Sequence, residues 1–472
     1  MKNTSNCSCY VMKFWGDIMN KLEAMPVPKL IRNFSTPAII ALLVNSINMA
    51  IDRIFIAKGV NTLAISAVTV AFGLYLVMQS LAQLIGSGAG ANLSIVLGKN
   101  DNERAKKIVG TSFVLSLTLS LLIAVLGIIF LKPVLYLYGA NSGNIDYAVE
   151  YSTYFLVGSV FFVISQSMNS IIRSMGFAKR AFINFIVAIL VNIILDPIFI
   201  FVLGLGVGGA ALASVIASLV SAALTLQFLF KNNIGIMLHH KYMRFYLDEV
   251  KQILSVGFSG FIGQISLSLV SLIFNRVSYA YGGNTGLAAY GVIYTIAMLV
   301  YMPIIGLGQG IQPIIGYSYG HAAIDRVKET MKYAIKYVLF FCIFMFLLIE
   351  IFSSYIISAF GGSTDPELLD TATFGMRIFC CMVPIVGVQM IGSNFFQYIG
   401  DARKAIFLSS LRQLILLIPL VYILPKFLGL LGVWLATPIA DLISFTVVAL
   451  YLWIQYRKFK PEVGLKIDDQ SL

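Results

Sequence analysis

Four carboxylates fall well inside long apolar runs, away from the inner ends: Asp52, Asp196, Glu350 and Asp441. Ionisable groups are costly in hydrocarbon, and where they persist they mark ion pathways and coupling sites. Asn192 stands four residues before Asp196, so amide and carboxyl share one helix face about a turn apart. The runs carrying Asp52, Asp196 and Ser214 end near Gly59, Gly204 and Val207. At 1.5 Å per residue these three side chains lie roughly 10, 12 and 10 Å below one boundary. Two carboxylates, an amide and a hydroxyl at one height form a hard-oxygen cluster of the kind Na⁺ accepts. Carboxylates desolvated beside one another also bind protons more readily, so the same cluster can carry H⁺. Pro197 follows Asp196 directly and cannot donate to the Ile193 carbonyl, which predicts a kink there. A kink or capping device is the structural alternative for Asp196. Glu350 lies near an outer end, within reach of water. Asp441 is open between a structural and a functional role.

The elements that must hold these groups are apolar and long. Of 472 residues 59% are apolar and only 11% charged, against about 45–50% and 25% in soluble domains. A soluble fold has too little charge to cover its surface at that composition. Apolar segments recur at about 34–58, 63–90, 108–131, 147–172, 181–203 and 208–230, then at about 253–281, 286–317, 333–358, 372–398, 405–424 and 430–455. Twelve transmembrane helices are expected. No cleavable signal peptide is expected, because residues 1–30 are too polar for an apolar signal core. Residues 13–24 read as a short amphipathic surface helix or a disordered tail. Of the 33 Lys and Arg, 27 fall on the side of the termini and the loops after even-numbered spans, and 6 on the other. The imbalance predicts both termini in the cytoplasm and a multi-pass protein of the plasma membrane. The net charge of +12 sits in these short loops and implies no nucleic-acid partner. Cys342, Cys380 and Cys381 read as core residues, and Cys7-x-Cys9 is a lone pair in a polar tail.

The chain repeats itself. Gly86-Ser-Gly88, Gly98 and Arg104 match Gly308-Gln-Gly310, Gly320 and Arg326 at an offset of 222 residues. Asp52-Arg53 matches Asn275-Arg276 at 223, and Gly176-x-Ala178-Lys179-Arg180-Ala181 matches Gly400-x-Ala402-Arg403-Lys404-Ala405 at 224. Six spans then six more give two lobes of equal topology, related by a pseudo-twofold axis along the membrane normal. Parallel repeats of this kind are a transporter architecture. The expected division is a cytoplasmic segment 1–30, an N-lobe 31–230, a cytoplasmic linker 231–252, a C-lobe 253–456 and a cytoplasmic tail 457–472.

The lobes differ in chemistry. Asn275 replaces Asp52, and Asp196 falls opposite an apolar stretch around Ile418 and Leu420, so coupling chemistry is expected in the N-lobe. The C-lobe offers uncharged candidates for polar lining, Gln264, Asn275, Gln309 and Gln389, with Gln312, Asn394 and Gln397; each also suits an interhelical hydrogen bond. Gly204-Leu-Gly206-Val-Gly208-Gly209 fits a dinucleotide-binding pattern formally, but no soluble strand precedes it. A tight turn between spans 5 and 6 accounts for it. Gly86-x-x-x-Gly90 and Gly306-x-x-x-Gly310 read as helix contacts. There is no His-Glu-x-x-His, the acids Asp365, Glu367 and Asp370 lack a metal-binding pattern, and His239, His240 and His321 lie in loops. An enzyme is not expected, nor a cofactor beyond the coupling ion.

Asn48-Met-Ala-Ile-Asp52-Arg-Ile-Phe-Ile resembles the first helix of multidrug and toxic compound extrusion (MATE) transporters. Asn192-Ile-Ile-Leu-Asp196-Pro197-Ile-Phe-Ile, followed by Gly208-Gly209-Ala-Ala-Leu-Ala-Ser214, is likewise similar to that family, in the style of its DinF/MepA-like bacterial branch. The likeness runs from about residue 21 to 455. It implies that Asp52, Asn192, Asp196 and Ser214 form the N-lobe cation site, for Na⁺ or H⁺. Relatives often carry Thr where this chain has Ser214. Another branch has an acid in helix 7, where Gln264 stands nearby. The implied function is efflux of organic, mostly cationic compounds by antiport and alternating access, in a monomer whose partners are small-molecule drugs and the bilayer. The alternative is a flippase for a lipid-linked cell-envelope precursor. Such a carrier is expected to line its cavity with basic residues; Arg53, Arg276 and Arg377 sit near outer ends instead.

Overall fold

A single run of helix, Leu247–Gly320, contains 74 residues. Straight, it would reach about 110 Å, far beyond a hydrocarbon core of about 30 Å. It is two helices joined at Gly283, where φ is 59° and ψ −150°, a backbone conformation that is essentially glycine's alone. With that division the computed structural model, which describes residues 22–60, 62–231, 238–359 and 366–459, has the twelve expected crossings. They are α1 Val27–Gly59, α2 Thr62–Gly98, α3 Asn102–Ile129, α4 Ile145–Ser174, α5 Ala178–Pro197, α6 Gly206–Lys231, α7 and α8 on either side of Gly283, α9 Ile324–Ala359, α10, α11 and α12 Leu430–Lys458. Helix α10 is broken: Pro366–Cys380 and Val383–Tyr398 meet at 47°. Helix α11 runs as Ala402–Ser410, Leu411–Leu417 and Ile418–Ile423. Large apolar side chains such as Leu122, Val157, Ile194 and Phe340 are exposed on the outside, as a surface facing lipid requires.

Helices begin earlier than hydropathy indicates. Helix α1 starts at Val27 with Pro28 in its first turn, where a missing N–H costs nothing. Helix α7 starts at Leu247 with Asp248 and Glu249 in its first turn. Polar first turns are invisible to an apolar window, so the linker expected at 231–252 already contains part of α7. Its described part, from Leu238, lies against α3: Tyr242 donates to Glu103 (2.6 Å) and Thr111 to the Arg244 carbonyl (3.2 Å). Most of the proposed 13–24 surface helix, Cys7, Cys9, Asp365 and the tail from 460 lie outside the described residues. The turn expected at Gly204–Gly209 is present: Gly204 and Gly206 take φ of 65° and 56°.

The 222-residue offset is a symmetry of contacts as well as of sequence. Gly88 of α2 packs on Gly257 of α7, and their counterparts Gly310 of α8 and Ser35 of α1 pack on each other. Ser94 meets Gly316, and Gly98 meets Gly320; each pair is related to itself by the offset, so α2 and α8 cross close to the axis. These contacts lie in the half of the bundle that carries both described chain ends. There the lobes are also tied by charge. Arg104 pairs with Glu249 (2.9 Å) and donates to Gln252 (2.6 Å). Its repeat partner Arg326 donates to the Met25 carbonyl (2.7 Å), beside the Tyr317–Glu23 hydrogen bond (2.7 Å).

A Cβ added at Gly257 would fall on the Leu84 carbonyl, whereas one at Gly263 meets nothing within 4 Å. Gly257→Ala is expected to lower thermal stability by about 1–3 kcal/mol, the usual cost of forcing atoms into a packed contact. Gly263→Ala should not. Melting curves of both purified variants in one detergent check this; equal shifts would show that the seam between the lobes tolerates the methyl.

Candidate cation site

Helices α1, α5 and α6 bring the four N-lobe residues together. Asn192 donates to Asp196 Oδ1 (3.3 Å) and to Ser214 Oγ (3.4 Å). The Asp52 and Asp196 carboxyls adjoin one another. Asn192 and Asp196 are buried, at 4% and 1% exposure. Asp52 Oδ1 and Asp196 Oδ2 are buried without a hydrogen-bond partner among the described residues. Adjoining carboxyls that each keep an orphan oxygen can accept a cation or share a proton.

Asn48 is a fifth member that the site reading from sequence omits. Its amide donates to Asn192 Oδ1 (2.8 Å) and to Asp52 Oδ2 (3.4 Å), and so joins α1 to α5. The signal was present: Asn48 precedes Asp52 by four residues, as Asn192 precedes Asp196. Each helix offers an Asn–Asp pair on one face.

Pro197 is the last residue of the α-helical part of α5. The α-helical ladder of α5 ends there, and Leu203 N–H donates to the Ile198 carbonyl, five residues back (2.9 Å). Such widened turns concentrate at functional sites. The cluster opens on a cavity of about 180 Å³, whose lining includes Asn48, Asp52, Asn192, Asp196, Tyr75 and Phe162. The two rings stand 5.5 Å apart between centroids, tilted by 58°.

The C-lobe candidates do not join this cluster. Gln389 is buried with its carbonyl oxygen unpartnered among the described residues, Asn275 is exposed, and Gln264 and Gln309 are half-buried. Gln312 and Gln397 make interhelical bonds to Ser87, at its carbonyl (3.4 Å) and its hydroxyl (2.9 Å) respectively. Glu350 pairs with Arg377 at 3.9 Å. Asp441 is taken up by Arg412, whose Nε lies 2.5 Å from its Oδ1. Arg412 lies within α11, 11% exposed and next to Tyr301 of α8.

The description MatE belongs to a family model that matches residues 37–198 and again residues 261–423. The chain belongs to the MatE family. One model matching twice, once in each lobe, restates the internal repeat. MatE proteins are transporters, not enzymes. Curated MatE relatives include the multidrug export protein MepA of Staphylococcus aureus (strain MSSA476), 25% identical over 421 residues, 89% of this chain and 92% of that protein. The MepA of Staphylococcus haemolyticus (strain JCSC1435) is 25% identical over 419 residues, 89% of this chain and 92% of that protein. Among solved structures, an outward-facing multidrug resistance MATE transporter of the MOP superfamily superimposes with a TM-score of 0.88 at 26% identity, covering 93% of this chain and 98% of that one. A MATE protein in complex with MaL6 gives a TM-score of 0.87 at 25% identity, covering 93% and 98%. The MatE fold of this chain is therefore the all-helical, two-lobed membrane fold expected from sequence.

Proposed function

We propose that this MatE transporter exports organic cations in exchange for Na⁺ or H⁺, with Asp52, Asn192, Asp196 and Ser214 as the coupling-ion site and Asn48 as its brace. The observation that carries this reading is the pair of adjoining carboxyls, each with a buried unpartnered oxygen. Neither charge is tolerable alone in a low-dielectric site, and both together require a cation or a proton. Na⁺ and H⁺ are substrates here, not resident cofactors. Rings of Tyr75 and Phe162, which line the same cavity as the carboxylates, suit a flat cation. The cavity of about 180 Å³ is below the roughly 300–1,000 Å³ of drug-sized sites. An ion fits it as it stands, and a drug requires the N-lobe walls or the cleft between lobes to yield. Alternating access, with the basic end of the bundle in the cytoplasm and a monomer in the plasma membrane, completes the reading. Arg412 does not favour an anionic lipid-linked substrate, since Asp441 already neutralises it.

The test is efflux of ethidium from proteoliposomes with Na⁺ and pH gradients imposed separately. Efflux driven by one gradient and not by an equal potential alone is the expected result. Ethidium movement indifferent to both gradients would overturn the antiport. Within the site, Asp196→Asn is expected to weaken ion dependence about tenfold or more, because it removes neutralising charge, and Ser214→Ala only a few-fold. Equal small effects in ion titrations of efflux would make the motif purely structural.

A further inference from the structure

A second cavity, of about 610 Å³, opens between α1, α8 and α9 on the outside of the bundle. Lys29 and Arg32 stand at one end of it, and Thr36, Ile39, Leu307 and Phe341 line it further along. Lys29 and Arg32 are both exposed, and neither forms an ion pair among the described residues. From Lys29 to Ile39 is ten residues, about 15 Å along the helix. That is about the depth of one leaflet of a hydrocarbon core of about 30 Å. The groove thus joins a cationic mouth to an apolar trough, and the two together are about as long as a leaflet is deep. It also spans the seam between lobes: Ser35 of α1 donates to the Leu307 carbonyl of α8 (3.4 Å), and Gly306 and Gly310 of α8 pack on Ile39 and Ser35.

We propose that this groove is a binding site for an anionic phospholipid. Its phosphate sits between Lys29 and Arg32, and one acyl chain lies along Thr36, Ile39, Leu307 and Phe341. Charge complementarity selects the occupant: each Lys or Arg near an anionic leaflet adds to the attraction, and a zwitterionic lipid gains far less from two unpaired cations. Seated there, the lipid touches α1 of one lobe and α8 and α9 of the other, and so holds the seam closed.

The test is native mass spectrometry of the purified full chain titrated with phosphatidylglycerol or with phosphatidylcholine. The wild type is expected to retain one phosphatidylglycerol preferentially. Lys29→Gln/Arg32→Gln should weaken that retention on the order of tenfold. Lys179→Gln/Lys251→Gln removes the same charge from exposed sites elsewhere at the basic end and should leave it intact. Thr36→Trp keeps both cations but fills the trough, and should also expel the lipid; glycerol phosphate, which has no chains, should not compete. Unfolded variants are recognised by their melting curves, and Lys29→Ala/Arg32→Ala then replaces the Gln pair. Equal retention by wild type and Lys29→Gln/Arg32→Gln would overturn the proposal, as would equal loss from both charge-removal pairs. Retention that emerges only after residues 1–20 are deleted would also overturn it, by assigning the groove to the chain's own N-terminal segment.

Discussion

Asp52→Asn is expected to reduce active efflux to the background of cells lacking the protein, with normal expression and a monodisperse purified protein. Asparagine keeps the shape and the acceptor oxygen, and it still accepts from the Asn48 amide that now reaches Asp52 Oδ2. The C-lobe carries Asn275 at the repeat-related position, so the substitution suits the helix. What changes is charge. With Asp52 neutral, Asp196 has no second carboxylate beside it, and the site loses the arrangement that calls for a cation or a shared proton. Export of a cation against an inside-negative potential requires roughly 2.3 kcal/mol per charge per 100 mV, and only the returning ion can supply it. Resistance and ethidium efflux, measured at matched expression, check this. Wild-type resistance in the variant would remove Asp52 from the coupling mechanism.

Arg412→Leu is expected to destabilise the protein by about 3–5 kcal/mol, because it leaves Asp441 as an unpaired buried charge. The two side chains are 11% and 2% exposed, so water compensates little. Arg412→Leu/Asp441→Leu should recover most of the loss, since apolar replacement of a whole buried pair is often neutral. Thermal unfolding of the two single variants and the double variant forms a mutant cycle. Additive losses would mean that Arg412 and Asp441 do not act as a pair. Efflux by the double variant adds a second reading: if it transports normally, the pair serves the C-lobe structure and takes no part in coupling.

Much of the candidate site was legible because its chemistry is exceptional in its surroundings. A carboxylate in an apolar run stands out whatever the fold, and the spacing of Asn192, Asp196 and Pro197 needs only one helix to be read. Asn48 carries the same four-residue spacing before Asp52, yet amides are common in transmembrane helices and only its bond to Asn192 distinguishes it. Arg412 is not legible from sequence as a structural charge: about ten residues into a span and beside Arg403 and Lys404, it looks like the edge of a basic loop. Its partner lies 29 residues away on another helix, and no local pattern announces that pairing.

The sequence by itself determined the solvent, the number of crossings and their equivalence in two halves. These follow from composition, from the length of each apolar run and from an offset of about 222 residues, all properties of the chain in one dimension. It also determined which N-lobe residues carry charge at matching depth, because depth along a helix is a count of residues. Only the tertiary structure decided which faces meet. It set Asp52 against Asp196, left one oxygen of each without a partner among the described residues, and tied Arg412 to Asp441. It closed the basic end through Gly88 on Gly257 and Ser35 on Gly310, and left Lys29 and Arg32 over an open groove. Those outcomes depend on helix rotation and crossing, which are fixed by side-chain contacts between different spans, 29 residues apart for Arg412 and Asp441 and 144 for Asn48 and Asn192, and are not encoded in any single span.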